Sequence, residues 1–273
     1  MSKVYFIKAR EDNKPENISA DAATLFHEFL EREEISLAEK LPLKVHFGEK
    51  GNKTFIPPTC FNGLIDILKH RKIEAYYAET NALYRGKRQN RTDHEKLAAE
   101  HGFTQLPVVI ADGEYGDDYK QVKIDGKHFK SCFIGATIAS AEQVLVISHF
   151  KGHMLAGFGG AVKQLAMGCA ARGGKLAQHH NNIPKIKSRK CEGCGECAQN
   201  CPADAITVAD KAAIDIEKCI GCAACMAVCR KGAIGANMLN LVSSFLTKTF
   251  SERLAEYAYA AQKDKPNLYV NFA

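Results

Sequence analysis

The sequence lacks any apolar run long enough to cross a membrane. Its long uncharged stretches, such as residues 232–247, contain Asn and Ser and fall short of the roughly 20 mostly apolar residues that a spanning helix needs. Residues 1–10 also lack the apolar core and the small-residue cleavage site of a signal peptide. We therefore expect no membrane segment and a cytoplasmic location, where the reducing environment keeps thiols free.

Two nucleotide-binding motifs are also absent. The chain contains neither G-x-G-x-x-G nor G-x-x-x-x-G-K-[ST], so a tightly bound dinucleotide or nucleoside triphosphate is not indicated. The net charge is +6, but the basic residues are scattered and not interleaved with aromatics along one helix, so we do not expect a nucleic-acid partner. The composition, 46% hydrophobic and 25% charged, is that of a globular protein, and 273 residues suggest about two domains.

Short apolar runs alternate with amphipathic stretches before residue 180, which is typical of an α/β domain with a mainly parallel sheet. The predicted strands are residues 4–7, 43–47, 73–78, 106–111 and 144–147, and a hairpin joins residues 119–124 to 127–133. Helices are predicted over residues 21–32, after Thr59 as an N-cap, and from Thr92, where Thr92 and Glu95 have the capping-box spacing. We expect residues 1–184 to form this domain.

Eight of the eleven cysteines fall in one short, doubled motif. The motif is Cys191-x2-Cys194-x2-Cys197-x3-Cys201-Pro202, followed by Cys219-x2-Cys222-x2-Cys225-x3-Cys229. With this spacing three thiolates bind one 4Fe-4S cubane and the fourth cysteine serves the other cluster. We therefore predict two 4Fe-4S clusters, whose iron ligands are Cys191, Cys194, Cys197 and Cys229 in cluster one, and Cys219, Cys222, Cys225 and Cys201 in cluster two.

A zinc site is the alternative for clustered cysteines, but zinc sites usually present paired C-x-x-C arms and have no use for a third thiolate at the next step. Three glycines in the motif, Gly193, Gly195 and Gly221, also suit a loop that brings backbone N–H groups close to a cluster. Only glycine adopts the positive φ of such loops without strain. We therefore favour iron over zinc.

Residues 191–202 and 219–229 resemble the bacterial two-cluster 4Fe-4S ferredoxins. The resemblance implies that residues 185–235, hereafter the cysteine-rich segment, form an inserted α+β module. One departure is Arg230, where the ferredoxin pattern has proline. Proline supplies no ligand, so we expect the cluster to survive the change. Residues 236–273 are predicted as a helical return with a terminal strand, the apolar run 268–270, that packs on the α/β domain.

Polar residues follow four of the predicted strands. Ligands bind beyond the carboxyl ends of the strands in an open parallel sheet. These residues are His46, Glu79, Thr80, Asn81, Asp112, Ser148 and His149. Polar loop residues are common at strand ends, so an ordinary solvated loop remains the alternative.

The segment from His149 to Lys163 combines two histidines with a glycine-rich turn. His149 and His153, four residues apart, could share one helix face, and the turn at residues 157–160 would present free N–H groups to an anion. Packing glycines are the alternative, and a second metal is weakly indicated because the glutamate of H-E-x-x-H is missing. We take as candidate catalytic residues His46, Asn81, His149, His153 and Lys163, with histidine or lysine supplying protons.

The remaining histidines and cysteines receive simpler interpretations. We interpret four histidines as surface residues or caps: His94, His101, His179 and His180. Three isolated cysteines are interpreted as small buried hydrophobes: Cys60, Cys132 and Cys169.

Several motifs together are similar to the iron-sulfur center proteins that carry domain of unknown function 362. They are residues 44–49 (KVHFGE), 79–81 (ETN), 126–130 (GKHFK), 148–153 (SHFKGH) and 157–163 (GFGGAVK). The resemblance implies an α/β domain with an inserted ferredoxin module and brings no established reaction. Residues 157–163 are also similar to a segment of the nickel-dependent lactate racemase family, from which we carry over no cofactor.

From these observations we expect electron transfer through the two clusters, with a redox partner protein such as a ferredoxin or reductase. The transfer would be coupled to reduction or binding of a small anionic ligand in the α/β domain. The alternative is a non-redox enzyme or binding protein in which the clusters are structural or sensing. An iron-sulfur oxidoreductase and a binding protein are both compatible with the sequence.

Overall fold

The computed structural model describes residues 3–8, 14–84, 86–153, 156–180, 184–201, 203–219, 221, 223–235 and 249–273. The helices are α1 (Pro15–Arg32), α2 (Asn62–His70), α3 (Arg91–Glu100), α4 (Ala136–Ser140), α5 (Ala161–Cys169), α6 (Arg172–His180), α7 (Glu196–Gln199), α8 (Ala224–Val228) and α9 (Thr249–Gln262). Within these residues no helix is long and apolar enough to span a membrane.

The strands belong to one large sheet and four two-stranded pairs. They are β1 (Lys40–Lys44), β2 (Glu74–Glu79), β3 (Val108–Ile110), β4 (Tyr119–Lys123), β5 (Ser131–Gly135), β6 (Leu145–His149), β7 (Lys151–His153), β8 (Gly157–Gly159), β9 (Lys185–Ile186), β10 (Ile206–Val208), β11 (Ala212–Ile214), β12 (Ile234–Gly235) and β13 (Leu268–Phe272).

A five-stranded sheet in the order β13-β6-β1-β2-β3 is parallel throughout, which confirms the predicted α/β fold. The chain leaves β1 towards β2 and β3 and then crosses back to β6 on the other side of β1. The strand order therefore reverses at β1, next to β6, and such a point opens a crevice at the carboxyl ends of the strands.

Both faces of the sheet are covered by helices. Leu145 and Ile147 of β6 pack in one core with residues of α1 and α2, whereas Val146 packs in a second core with residues of α5 and α9. Three consecutive buried residues in one strand are typical of a parallel sheet that is covered on both sides. The short apolar runs of the sequence reflect this double burial.

The C-terminal strand β13 pairs with β6 in parallel register, from Leu268 opposite Leu145 to Phe272 opposite His149. The chain thus returns to the large sheet after the cysteine-rich segment. Of the predicted helical return, α9 is described over Thr249–Gln262, whereas residues 236–248 lie outside the described residues.

The cysteine-rich segment has a repeated local structure. Its first half runs β9-α7-β10 and its second half β11-α8-β12. The halves are joined by two antiparallel pairs, β10 with β11 and β9 with β12. The segment has its own small core, made of Cys197, Ile206, Cys225, Val228 and Ile234.

The hairpin predicted around Asp125 is confirmed. Strands β4 and β5 pair in antiparallel register, and Asp125 in the turn has φ of 54°. The carboxylate of Glu256 on α9 accepts hydrogen bonds from the backbone N–H groups of His128 and Phe129, at 3.0 and 2.9 Å. The hairpin is therefore fastened to the helix layer.

The predicted strand at residues 4–7 is wrong. Residues 3–8 have no strand pairing, and the side chains of Val4 and Phe6 are exposed. Tyr5 instead packs edge-on against Phe29 of α1 and donates a hydrogen bond to Glu33, at 2.6 Å. A short apolar run forms a strand only where a sheet edge offers a partner.

Two predicted helix starts are also displaced. The side chain of Asn90 caps α3 by accepting a hydrogen bond from the backbone N–H of Asp93, at 2.8 Å. The N-cap therefore lies two residues before Thr92, and the predicted capping box at Thr92 is wrong. Thr59 lies inside a short 3-10 helix, Pro58–Phe61, that leads directly into α2, and it caps nothing there.

Candidate functional site

A cavity of about 530 Å³ opens at the carboxyl ends of β1, β2 and β6, where the strand order reverses. Four of the five candidate catalytic residues line it: His46, His149, His153 and Lys163. Lys163 is on α5, which begins directly after the glycine-rich turn, as we predicted. This is the place where ligands bind in open parallel sheets.

Asn81, the fifth candidate, does not line the cavity. Its side chain is fully buried and donates hydrogen bonds to Asp112 Oδ1, at 3.0 Å, and to the carbonyl oxygen of Gly113, at 2.9 Å. The backbone N–H of Asn81 also donates to Asp112 Oδ1, at 2.8 Å. Asn81 therefore ties the end of β2 to the end of β3, and the structure gives it a supporting position.

The helix predicted for the two histidines of the H-x-x-x-H pattern is wrong. His149 ends β6, whereas His153 ends β7, which pairs with β8 in a small antiparallel flap. The histidines reach the same cavity because the flap folds beside the strand end, and not because they share a helix face. His153 Nδ1 accepts a hydrogen bond from the backbone N–H of Ala156, at 3.2 Å.

The lining of the cavity is more cationic than anionic. Four cationic side chains line it, namely Arg88, Lys151, Lys163 and Lys175, against the two carboxylates Glu49 and Glu79. Among the described residues, neither Lys163 nor Lys175 forms an ion pair, and burial lowers the pKa of both amines. Buried cationic side chains that form no ion pair favour an anionic ligand.

Lys175 is a component of the cavity that the sequence did not reveal. Its ammonium group is buried and donates hydrogen bonds to Thr80 Oγ1 and to the carbonyl oxygen of Ala170, the latter at 2.6 Å. Burial lowers its pKa to about 8, although Asp112 and Glu79 oppose the effect. No motif surrounds Lys175 in the sequence, because α6 brings it to the cavity only through the tertiary fold.

Glu79 is the centre of a buried ionic network on the cavity floor. Its carboxylate lies 2.8 Å from Lys44 Nζ, 3.2 Å from His46 Nδ1 and 3.8 Å from Arg88 Nη1. Burial alone would raise the pKa of Glu79, but Lys44, His46 and Arg88 hold it well below its usual range. Glu79 is therefore a carboxylate at neutral pH.

Arg88 connects this network to the loop that follows β1. Its Nε donates to Glu49 Oε2, at 3.2 Å, and its Nη2 donates to the hydroxyl group of Tyr84. Tyr84 also stacks against the guanidinium group, 5.7 Å from the ring centroid. The sequence did not single out Arg88, since no strand or motif marks its position.

The cysteine-rich segment contains a second cavity, of about 150 Å³. Four cysteines line it together, Cys191, Cys194, Cys197 and Cys229, which are the predicted ligands of cluster one. Cys229 comes from the second half of the repeat, and the chain must fold back on itself to bring it beside the other three. The backbone N–H of Ala233 donates to Cys229 Sγ, at 3.2 Å, and that of Ala212 to Cys191 Sγ, at 3.4 Å.

A third, smaller cavity of about 20 Å³ lies at the corresponding place in the other half. Three of the predicted ligands of cluster two line it, Cys201, Cys219 and Cys225. Cys222, the fourth, lies outside the described residues. The backbone N–H of Ala205 donates to Cys201 Sγ, at 3.3 Å, which matches the bond from Ala233 to Cys229 in the other half.

The loop glycines have the backbone geometry that the sequence predicted. The φ angles are 67° at Gly193, 82° at Gly195 and 68° at Gly221. A Cβ atom at Gly193 would lie 2.6 Å from the carbonyl oxygen of Asp210, so a side chain does not fit there without movement. Ala223, which corresponds to Gly195 in the repeat, has φ of 61° and also adopts the left-handed conformation.

In the described part of the chain, no three His, Cys, Asp or Glu side chains are close enough to bind one metal ion. A 4Fe-4S cubane requires a different arrangement, since each of its four cysteines binds a different iron atom. Its ligands stand around a cluster and not around one ion. Four cysteines around one cavity, with N–H groups directed at two of the sulfurs, fit this requirement.

The remaining histidines and cysteines have simpler environments. His94 is fully buried, and burial lowers its pKa to about 3, so its interpretation as a surface residue is wrong. His101 Nδ1 lies 2.7 Å from the carbonyl oxygen of Phe47, and His179 lines the large cavity. The three isolated cysteines are buried, as predicted, and burial raises the pKa of each thiol: Cys60, Cys132 and Cys169.

Comparison with known proteins supplies a family. No curated protein matches the chain. The fold is similar to the lactate racemase apoprotein from Thermoanaerobacterium thermosaccharolyticum, with a TM-score of 0.42 and 13% sequence identity, over 81% of this chain and 47% of that chain. This chain therefore spans about half the length of that protein. A family described as "Domain of unknown function (DUF362)" matches residues 42–272, and the chain belongs to this family.

Proposed function

We propose that this protein transfers electrons through two 4Fe-4S clusters in the cysteine-rich segment and binds a small anion in the cavity of the α/β domain. When bound, such clusters supply reversible storage of single electrons. A redox partner protein, of the ferredoxin or reductase type, would exchange electrons with them. The anion would be reduced at the cavity or would control the transfer by its binding.

One observation carries the iron-sulfur part of the proposal. The doubled spacing predicts that the fourth cysteine of each motif serves the other cluster, and Cys229 lies in the cavity lined by the first motif's cysteines. Likewise Cys201, the fourth cysteine of the first motif, lies in the cavity lined by Cys219 and Cys225 of the second motif. Backbone N–H groups directed at cysteine sulfurs stabilise thiolates, and such hydrogen bonds also help to set cluster potentials.

The structural alternative is favoured by a different observation, the small core of the cysteine-rich segment. Two of its five buried core residues are Cys197 and Cys225, which we assign as ligands. So few apolar residues contribute little hydrophobic free energy, and segments of this size usually need metal or disulfides to fold. The clusters would then hold the segment together whether or not they carry electrons.

The anion-binding part of the proposal depends on the unpaired lysines of the large cavity. Lys163 from α5 and Lys175 from α6 meet at the cavity without an ion-pair partner among the described residues. Burying a cation without a counter-charge is costly, and a bound anion would offset that cost. His149 and His153, which line the same cavity, would add N–H donors.

The first experiment counts iron, zinc and sulfide in protein purified without oxygen. We expect a brown protein with about eight irons and a matching amount of sulfide per chain. Zinc in place of iron, or about four irons, would contradict the assignment of two clusters. Because both the electron-transfer and the structural alternatives require clusters, this count tests the feature that they share.

A second experiment separates those alternatives by adding a low-potential chemical reductant. An electron-transfer protein should show bleaching of its visible absorption and a paramagnetic signal, both reversed on reoxidation. Clusters that resist reduction, but whose removal unfolds residues 185–235, would favour the structural alternative. The folding of that segment can be followed separately by hydrogen exchange.

A third experiment tests the cavity with inorganic phosphate as the probe. Lys163→Met keeps much of the apolar stem and removes the charge, so the fold should persist. A charge-assisted hydrogen bond contributes roughly 1.5–3 kcal/mol, which predicts roughly ten- to hundredfold weaker binding by calorimetric titration. Lys120→Met, an exposed position on β4, is the matched control. Equal affinities in both variants would remove Lys163 from the site.

A further inference from the structure

His46 and Glu79 form a pair on the floor of the large cavity. Strands β1 and β2 are parallel neighbours with Lys44 opposite Ala78, so the residues that follow lie side by side. His46 Nδ1 is 3.2 Å from Glu79 Oε2. The side chain of Glu79 is 3% exposed, whereas that of His46 is 44% exposed and lines the cavity.

Among the described residues, the four groups in direct contact with the Glu79 carboxylate favour its charged form, whereas the more distant Asp112 opposes it. Lys44 Nζ and the backbone N–H of Thr80 approach Oε1 at 2.8 and 3.0 Å, while His46 and Arg88 approach Oε2. An ionised carboxylate can only accept hydrogen bonds. Glu79 therefore requires a hydrogen on whichever ring nitrogen of His46 it contacts.

Arg88 competes for the same ring nitrogen. Its Nη1 lies 3.4 Å from His46 Nδ1, and a guanidinium group can only donate. The contact with Glu79 is shorter and pairs a donor with a charged acceptor, so it is the stronger of the two. The other guanidinium nitrogens of Arg88, Nε and Nη2, donate to Glu49 and Tyr84 and hold the group in place. We therefore assign the hydrogen of neutral His46 to Nδ1, which leaves the lone pair of the ring on Nε2.

We propose that His46 and Glu79 are a proton-transfer pair, in which His46 Nε2 gives a proton to, or takes one from, an oxyanion bound in the cavity. This inference rests on the anion binding proposed above. In the donating direction the Nε2–H bond breaks, its electron pair stays on the ring, and a new O–H bond forms on the ligand. Glu79 acts as a positioning residue, because it fixes the tautomer and stabilises the imidazolium.

A proton donor at this place complements electron transfer. An anion that gains an electron becomes more basic, and a proton offsets the added negative charge. In the proposal the electron comes from the redox partner protein through the cysteine-rich segment, and the proton comes from His46. Removal of the ring from water, together with the nearby charges of Arg88 and Lys44, lowers the pKa of His46 and outweighs Glu79, which raises it. The pKa therefore lies below its usual value, and the imidazolium of His46 gives up its proton readily.

The test measures the protonation of His46 directly, by nitrogen-15 NMR of the oxidised, cluster-containing protein. The chain has ten histidines, so the signal of His46 is identified by its loss in His46→Gln. We expect Nδ1 to carry the hydrogen of the neutral ring. Replacing the carboxylate in Glu79→Gln should lower the pKa of His46 by about one unit, since a neighbouring opposite charge shifts a pKa by roughly that much or more.

Glu74→Gln is the matched control, because Glu74 begins the strand that Glu79 ends and its carboxylate is exposed. It should leave the pKa of His46 unchanged. A wild-type ring that carries its hydrogen on Nε2, or equal pKa values in Glu79→Gln and the wild type, would overturn the pair. The wild-type tautomer decides the question even if Glu79→Gln does not fold.

Failure of anion binding can be told apart from failure of the pair. Saturating inorganic phosphate should raise the pKa of His46, because a nearby anion favours the imidazolium. If the neutral ring carries its hydrogen on Nδ1 but phosphate leaves the pKa of His46 unchanged, the proposed anion site is contradicted. Proton transfer to a bound oxyanion is then contradicted as well. If the neutral ring of His46 carries its hydrogen on Nε2, the His46–Glu79 pair is contradicted, whether or not phosphate changes the pKa of His46.

Discussion

Replacing Glu79 by Gln should strongly destabilise the α/β domain. The exchange preserves the shape of the side chain but leaves the ammonium group of Lys44, which is 0% exposed, without its carboxylate at 2.8 Å. Removing one partner of a buried ion pair costs about 3–5 kcal/mol. In a domain of this size each kcal/mol lowers Tm by about 2–4 °C, so we expect a fall of about 6–20 °C.

The same two strands provide the control. Lys40 and Glu74 pair at 3.1 Å with side chains that are 72% and 67% exposed. Solvent screening limits such a surface pair to about 1 kcal/mol or less, so Glu74→Gln should lower Tm by at most a few degrees. The two variants remove the same kind of charge from the two ends of β2, and they differ in burial.

Lys44→Met should lower Tm less than Glu79→Gln does. The carboxylate of Glu79 keeps His46 and Arg88 as partners when Lys44 is replaced, whereas Lys44 has no second carboxylate within the described structure. Thermal unfolding followed by circular dichroism measures all three variants. If Glu79→Gln and Glu74→Gln lowered Tm equally, the reasoning would be refuted, since burial of the ion pair would then make no difference to its contribution to stability.

The effect of Glu79 should also depend on pH. Its pKa in the folded protein is well below its usual range, so its stabilising effect is fully present above the unfolded value of about 4.3. The stabilisation is lost as the pH falls through the folded pKa. Outside the pH range in which His46 titrates, the difference in Tm between wild type and Glu79→Gln should therefore be constant near neutral pH and shrink in acid.

Three further predictions concern the cysteines. Cys229→Ser should damage the cluster of the first motif and spare the other, as seen by electron paramagnetic resonance; loss of the other cluster would contradict the assignment of ligands. Gly193→Ala should lower iron content more than Gly221→Ala, because a Cβ atom meets the carbonyl oxygen of Asp210 only at Gly193; equal losses would contradict the steric argument. Iodoacetamide should leave the three isolated cysteines of the folded protein unmodified, since burial raises their pKa, and peptide mass spectrometry checks this.

The sequence predicted the sheet where the local pattern and the final burial agree. Residues 144–147 are apolar and β-branched because β6 is covered on both faces, and the hairpin around Asp125 has a turn residue that tolerates positive φ. The apolar run at residues 4–7 is just as clear, but no strand among the described residues pairs with it. Pairing partners are a property of the whole fold and cannot be read from a short pattern.

The sequence located part of the candidate site for a similar reason. The rule that ligands bind beyond strand ends led to His46 and His149, which both line the cavity, and to Asn81, which does not. Arg88 and Lys175 lie in loops and helices without a motif, and only the fold brings them to the cavity. The spacing of His149 and His153 suggested a helix face, yet a strand and a flap place them there.

The central claim is that this chain carries two redox-active 4Fe-4S clusters, and a potentiometric titration followed by electron paramagnetic resonance tests it most directly. The protein is purified and titrated without oxygen, and the integrated signal is divided by the protein concentration. We predict reversible uptake of up to two electrons per chain, with both transitions abolished when iron is removed. A preparation that contains zinc, or iron that accepts no electron at any accessible potential, would contradict the claim.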